Sequence, residues 1–240
     1  MKTFSFAQDW WQFLLIAVIC YLIGCFNFAR AISHSKKRDI TKMGSGNPGT
    51  MNMTRSFGIK IGLLTFFCDA FKGGIPAIVC FFLYRGYVFY GTGVIVSDFI
   101  RYYCGLFVII GHIFPITMHF KGGKGIASTL GLFWVCLACE EWWWIFTGFA
   151  FLLFIAFFIF WTEWGSLGSL LGVTGFSIVQ MLVFVLRYAQ SAVNAYTVCL
   201  FLIIFAINAL TWCAHHQNLI RLFAGEEHHT SIKKLAKKKR

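Results

Sequence analysis

Long apolar runs separated by short polar segments form the pattern of this 240-residue chain. Seven such runs predict membrane-spanning helices at about residues 10–33, 61–84, 101–118, 126–139, 143–161, 166–186 and 191–213. The fourth run is short. The second run contains Asp69, Lys72 and Pro76, so we expect its first half to be irregular or to lie at the membrane interface.

The composition agrees with a membrane protein, since 58% of the residues are hydrophobic and only 12% are charged. Soluble domains average about 25% charged residues. The sequence predicts an all-α integral membrane fold with about seven transmembrane helices in a single domain, residues 1–240. Cys136 and Cys139 form a CxxC inside an apolar helix, where packing is favoured over metal binding or redox chemistry.

Basic residues are distributed unequally between the two ends of the predicted helices. The connections on one side hold 15 Lys and Arg residues and those on the other side hold 4. This bias predicts an N-terminus outside and a cytoplasmic C-terminus with a basic tail at about 225–240. The net charge of +12 therefore favours anionic lipid headgroups over nucleic acid as partners.

Three polar clusters fall on the predicted cytoplasmic side, which puts them at one rim of the helix bundle. Their sequences are MGSGNPGTMNMTRSFG at 43–58, GHIFPITMHFKGGKGIAS at 111–128 and HHQNLIRLFAGEE at 215–227. Glycine backbone approaches anions closely, and lysine and arginine bind phosphate oxygens. Lys124 is followed by Gly125 and not by Ser or Thr, so the second cluster is not an ATP-binding Walker A loop.

These three clusters resemble, in order and spacing, the motifs of the bacterial membrane glycerol-3-phosphate acyltransferase family PlsY. The leader RDITKMGSGN and the segment DAFKGGIPAI also resemble the corresponding segments of that family. One departure is Met51, which stands where the family usually has threonine.

The resemblance implies transfer of an acyl chain from acyl phosphate to the 1-hydroxyl of sn-glycerol 3-phosphate, giving 1-acylglycerol 3-phosphate (lysophosphatidic acid) and phosphate. It implies no metal and no coenzyme, a multi-pass protein of the bacterial inner membrane, and an active site facing the cytoplasm. It also implies a functional link to an enzyme that produces acyl phosphate.

Site residues follow from the resemblance by motif position. The residues carried over as catalytic are Ser45, Arg55, Lys124, His215 and Asn218. Those carried over as binding substrate or phosphate are Asn47, Gly49, Asn52, Lys121, Gly122, Gly123, Gly125 and Arg221.

The roles assigned to these residues are hypotheses. Arg55 and Lys124 would hold phosphate, and the glycines of the second cluster would offer backbone N–H donors to a phosphate or an oxyanion. His215 and Asn218 would orient glycerol 3-phosphate, and either His215 or a substrate phosphate would accept the hydroxyl proton. For Ser45 a hydrogen-bonding role is favoured over a nucleophilic one.

Other assignments remain open at this point. Asp69 and Lys72 either belong to the site or form a structural pair, and in GSLGSLLG the serines 166 and 169 are expected to serve helix packing. His34 and Asp39 form an HxxxxD, the spacing of another acyltransferase superfamily that uses acyl-CoA or acyl carrier protein. An anion transporter is the alternative from a different class, although transporters usually place polar groups near the bilayer midplane.

Overall fold

Helices build almost all of the computed structural model, which describes residues 1–226. The ten α-helices are α1 (Phe6–Cys25), α2 (Phe28–Ser35), α3 (Thr50–Phe57), α4 (Ile59–Tyr84), α5 (Val96–Ile113), α6 (Ile126–Glu140), α7 (Trp144–Thr162), α8 (Gly165–Tyr188), α9 (Ala195–Ala214) and α10 (His216–Phe223). Two short strands, β1 (Lys2–Phe4) and β2 (Tyr87–Phe89), pair in parallel. The predicted basic tail lies outside the described residues from position 227 onward.

Six helical segments among residues 1–226 are long and apolar enough to cross a membrane, which makes this an integral multi-pass membrane protein. They are Phe6–Ser35, Ile59–Tyr84, Val96–Met118, Trp144–Thr162, Gly165–Tyr188 and Ala195–Ala214. The remaining predicted span is α6, which is apolar but has only 15 residues. The all-helical membrane fold is thus confirmed, with six full-length spans among the described residues and, as expected for the fourth run, one shorter helix.

Of the two alternatives for the first half of the second span, irregular structure is wrong, because α4 is a continuous helix through Pro76, and a position at the membrane interface stays a prediction. Asp69 and Lys72 are buried as a pair, with Lys72 Nζ 3.2 Å from Asp69 Oδ1. Close packing against α6 also supports the helix, since a Cβ on Gly73 would lie 2.0 Å from the Ser128 carbonyl oxygen. Small residues permit such close helix contacts inside membranes.

The first span is broken where α1 ends and α2 begins. The Asn27 side chain accepts a hydrogen bond from the Arg30 amide at 2.8 Å, which caps α2. The Asn27 amide group also donates to the Pro48 carbonyl at 3.2 Å, so the break is tied to the first polar cluster. The break therefore places α2 beside the segment that carries this cluster.

The two ends of the bundle differ in what they carry. We call the end with residues 36–58, 114–125 and 215–226 the motif rim, and the opposite end the far rim. At the far rim β1 pairs with β2, and Arg101 pairs with Asp98 at 3.3 Å and with Glu140. Arg187 pairs with Asp98 at 2.6 Å and also with Glu140, so four buried or half-buried charges join α5, α6 and α8.

Candidate active site

The three polar clusters meet at the motif rim around a cavity of about 1290 Å³. All 13 residues predicted for the site line it: Ser45, Asn47, Gly49, Asn52, Arg55, Lys121, Gly122, Gly123, Lys124, Gly125, His215, Asn218 and Arg221. The structure therefore brings the whole predicted set together, and the geometry distinguishes residues that build the wall from those whose chemistry faces the cavity.

Asn52 organises the loop of the first cluster. Its side-chain amide donates to the carbonyls of Met43 at 2.9 Å and Ile40 at 3.3 Å, and its oxygen accepts from the Ser45 amide at 3.2 Å. The side chain is 1% exposed. Asn52 was predicted to bind substrate, but its contacts show that it fixes the backbone next to Ser45.

The helix α3 begins at the cavity. Gly49 is its N-cap residue, and Thr50 and Met51 in its first turn line the cavity wall, as does Arg55 one turn further on. The first amides of a helix have no partner within the helix and carry a partial positive charge. A guanidinium and a helix N-terminus thus approach the same space.

Glycines 122 and 123 pack tightly against α5, which differs from the predicted role of their amides. The Gly122 amide donates to the Ile113 carbonyl at 3.0 Å, and the Gly123 amide donates to the His112 carbonyl at 3.1 Å. The prediction that these two amides serve as anion donors is wrong for this structure. The glycines are needed for space, because a Cβ on Gly122 would lie 2.1 Å from the His112 carbonyl oxygen.

Gly125 begins helix α6 at the cavity. It is the N-cap of α6 with φ +79°, a conformation that favours glycine. Within the described part of the chain no side chain caps this N-terminus, and Gly125, Ile126 and Ala127 line the cavity. The first turn of α6 therefore faces the cavity, and helix N-termini favour anions.

Lys124 links the second cluster to the third. Its ammonium donates to the Asn218 side-chain oxygen, and the Asn218 amide donates to the Ser166 hydroxyl at 2.6 Å. Helix packing was expected for Ser166 and Ser169, but both serines line the cavity. In the same stretch the close contacts fall on Gly168 and Gly172, where an added Cβ would meet Ile159 and Ile155 of α7.

His215 stands at the N-cap position of α10 and is buried, with 4% of its surface exposed. Its Nδ1 lies 2.7 Å from the Thr211 carbonyl oxygen. A carbonyl accepts hydrogen bonds only, so Nδ1 carries the proton and the lone pair of the neutral ring is on Nε2. The side chain therefore has the tautomer that a proton acceptor with its Nε2 requires.

The cavity is strongly basic. Five basic side chains line it, namely Arg30, Arg55, Lys121, Lys124 and Arg221. Among the described residues, Asp69 is the one carboxylate in the lining. This excess of positive charge, together with the N-termini of α3, α6 and α10, favours ligands with more than one negative charge. Sequence reasoning missed Arg30, which lies within the first apolar span, and His112, which lies in the second cluster at the end of the third span and received no role there.

An apolar branch extends from the polar end between α4, α6 and α7. It is lined by Leu63, Phe66, Phe67, Leu130, Trp134, Phe149, Leu152, Leu153, Ile155, Ala156 and Ile159. Phe67, Phe149 and Leu153 are also exposed on the membrane-facing surface. A hydrocarbon chain can thus pass from the polar end of the cavity toward lipid.

The HxxxxD alternative is not supported by the geometry. His34 is exposed, and neither His34 nor Asp39 is among the described residues that line the cavity. The Thr41 hydroxyl and amide donate to the Asp39 carboxylate at 2.7 and 3.0 Å, which lowers the pKa of that carboxyl below its usual range. Asp39 thus caps the turn Ile40–Lys42.

Comparisons with known proteins agree on one family. A family model described as glycerol-3-phosphate acyltransferase matches residues 14–225. The glycerol-3-phosphate acyltransferase of Aquifex aeolicus is 30% identical over 215 residues, covering 90% of this chain and 97% of that protein. The glycerol-3-phosphate acyltransferase of Finegoldia magna is 42% identical over 123 residues, which cover 50% of this chain and 54% of that protein. The chain thus spans about half the length of this relative.

Solved structures support the same family. The crystal structure of PlsY, an integral membrane glycerol 3-phosphate acyltransferase, in its glycerol 3-phosphate form matches with a TM-score of 0.69 and 28% identity, covering 91% of this chain and 95% of that one. Its lysophosphatidic acid form matches with a TM-score of 0.68. Neither a transporter nor an HxxxxD enzyme accounts for this agreement, and the chain belongs to the PlsY family of integral membrane glycerol-3-phosphate acyltransferases.

Proposed function

We propose that this chain transfers an acyl group from acyl phosphate to the 1-hydroxyl of sn-glycerol 3-phosphate. The products are 1-acylglycerol 3-phosphate and inorganic phosphate. The observation that carries the proposal is the two-part cavity. One end combines five basic side chains with three helix N-termini, and the other end is apolar and opens between α4 and α7.

The size of the cavity fits two substrates. Pockets for one small ligand usually measure about 300–1,000 Å³. A cavity of about 1290 Å³ exceeds that range. Glycerol 3-phosphate and acyl phosphate each bring a phosphate group, and the acyl phosphate also brings a hydrocarbon chain for the apolar branch.

The reaction is a displacement at the acyl carbon. The 1-hydroxyl oxygen bonds to the acyl carbonyl carbon, the bond from that carbon to the phosphate oxygen breaks, and phosphate leaves with the electron pair. Arg55, Lys124 and the N-terminus of α6 stabilise the charge that develops on the phosphate and the oxyanion. The hydroxyl proton passes either to Nε2 of His215 or to a phosphate oxygen of a substrate.

We also propose that the motif rim faces the cytoplasm of a bacterial cell and that the protein lies in the inner membrane. The support is the excess of Lys and Arg in the connections of this rim. Acyl phosphate and glycerol 3-phosphate would then both be drawn from the cytoplasmic side, the acyl phosphate from an enzyme that produces it.

A donor-exchange experiment tests the proposal. Purified protein receives labelled glycerol 3-phosphate with either acyl phosphate or acyl-CoA, as wild type, Lys124→Ala and His34→Ala. The proposal predicts product from acyl phosphate alone, lost in Lys124→Ala and kept in His34→Ala. Product from acyl-CoA that disappears in His34→Ala would overturn both the donor and the site.

A further inference from the structure

Three polar side chains are buried together beneath the glycine loop of the second cluster. Lys72 Nζ donates to the Phe26 carbonyl at 2.8 Å and to the Gly24 carbonyl at 3.3 Å. It also lies 2.9 Å from His112 Nδ1 and 3.2 Å from Asp69 Oδ1. All three side chains are no more than 6% exposed. The cluster joins the end of α1 to α4 and α5.

These contacts fix which nitrogen of His112 carries the proton. Lys72 Nζ faces two carbonyls and the Asp69 carboxylate, which all accept hydrogen bonds only, so an ammonium with three N–H groups fits these surroundings. An ammonium is a donor without an acceptor site, so His112 Nδ1 must accept from it. The neutral imidazole therefore holds its proton on Nε2.

The protonated nitrogen lies at the glycine loop. Nε2 is the ring atom nearest to Gly123, since a Cβ on that glycine would stand 2.3 Å from it. Gly123 directly precedes Lys124, and both His112 and Asp69 line the cavity. An N–H donor without net charge thus belongs to the same cavity as Lys124 and the first turn of α6.

We propose that His112 donates a hydrogen bond from Nε2 to a phosphate oxygen bound at the glycine loop, and that Lys72 and Asp69 are positioning residues that hold this tautomer. The inference rests on the proposed function, because it takes the phosphate to be that of acyl phosphate or of glycerol 3-phosphate. His112 transfers no proton in this role. Its neutral N–H remains a donor throughout the reaction.

Two amide substitutions separate this role from a structural one. The amide nitrogen in His112→Gln reaches about the position of Nε2 but leaves Lys72 without its acceptor. The oxygen in His112→Asn reaches about the position of Nδ1 and accepts from Lys72, but no donor remains at Nε2. We expect His112→Gln to keep kcat/KM within about fivefold of the wild type. We expect His112→Asn to lose about 10- to 100-fold, as for a lost hydrogen bond to a charged group. The same substitutions at the exposed His34 are expected to change nothing.

The substrate that receives the bond is identified by which KM rises in His112→Asn. If the KM for acyl phosphate rises and inhibition by inorganic phosphate becomes weaker, the bond goes to the leaving phosphate. A rise for glycerol 3-phosphate alone assigns the acceptor. Activity retained in His112→Asn and lost in His112→Gln would overturn the proposal, because it would show that the ring matters only as the acceptor for Lys72.

A spectroscopic measurement covers variants that fold poorly. Nitrogen NMR of wild-type protein labelled at histidine is expected to show one buried ring that is protonated on Nε2. The signal of this ring should be absent in His112→Gln and altered in Lys72→Met. A buried ring protonated on Nδ1 at this position would contradict the assignment. Wild-type turnover with acyl phosphate tests the proposed function separately. The ratio of kcat/KM between His112→Gln and His112→Asn is measured with whichever acyl donor the wild type uses.

Discussion

Replacing Asn218 by aspartate tests whether Lys124 acts on a phosphate. The substitution keeps the shape of the side chain and puts a carboxylate where the neutral oxygen now accepts from the Lys124 ammonium. The carboxylate offsets the lysine charge and repels an anion bound beside it. At an effective dielectric constant of about 20, two unit charges about 5 Å apart interact by about 3 kcal/mol. We therefore expect kcat/KM for acyl transfer to fall about 100-fold, since each 1.4 kcal/mol corresponds to a factor of ten.

The control is the same chemical change at the far rim. Asn194 caps α9 by accepting from the Tyr196 and Thr197 amides at 3.0 and 3.1 Å. Aspartate is an equally good N-cap residue, so Asn194→Asp should leave both the thermal midpoint and kcat/KM unchanged. A folded Asn218→Asp enzyme with kcat/KM within threefold of the wild type would refute the idea that phosphate binds beside Lys124.

Three further outcomes follow from packing and charge. Gly123→Ala places a Cβ 2.3 Å from His112 Nε2 and should reduce activity at least tenfold. In the control Gly86→Ala no described heavy atom lies within 4 Å of the new Cβ, so the steady-state rate should not change. Arg101→Met removes one of the two cations that pair with Asp98 and Glu140. Because Arg187 still pairs with both carboxylates, stability should fall by about 1–3 kcal/mol, while the molecules that remain folded keep their specific activity, as unfolding in detergent and active-site titration will show. Trp134→Ala lengthens the apolar branch and should shift the preference toward longer acyl phosphates. The relative kcat/KM should rise by up to about fourfold for each methylene that becomes buried. An unchanged chain-length preference would exclude Trp134 from the acyl path.

The helices and the convergence of the motifs could be predicted from local sequence. Apolar runs locate the spans because the bilayer requires about 20 apolar residues in a row. Two spans, an even number, lie between the loops of the first and second clusters, which places both loops at one rim. The number of spans alone was therefore enough to predict that the motifs lie at the same rim.

Partners that lie far apart in the sequence could not be predicted. Polar residues in α4 suggested a broken helix, but Lys72 is compensated by carbonyls at the end of α1, a contact across 46 residues. Arg101 and Glu140 are paired across 39 residues at the far rim. Such compensation depends on which helices become neighbours, and hydropathy does not contain this information.

The glycine loop shows the same limit at a single site. A glycine-rich sequence beside lysine is typical of an anion cradle, yet the amides of Gly122 and Gly123 are bonded to α5 carbonyls. Glycine is required there for close packing against His112, and the amides that face the cavity are those of the first turn of α6. The residue types indicated an anion site, while the direction of each N–H depended on tertiary packing.

The most direct test of the account is a stoichiometric one. Purified protein in a bilayer mimic, free of coenzyme, receives acyl phosphate with and without glycerol 3-phosphate, and phosphate release and 1-acylglycerol 3-phosphate are measured together. The account predicts equal amounts of the two products, formed only when both substrates are present. Acylated product without matching phosphate release, or no product until acyl-CoA is supplied, would contradict it.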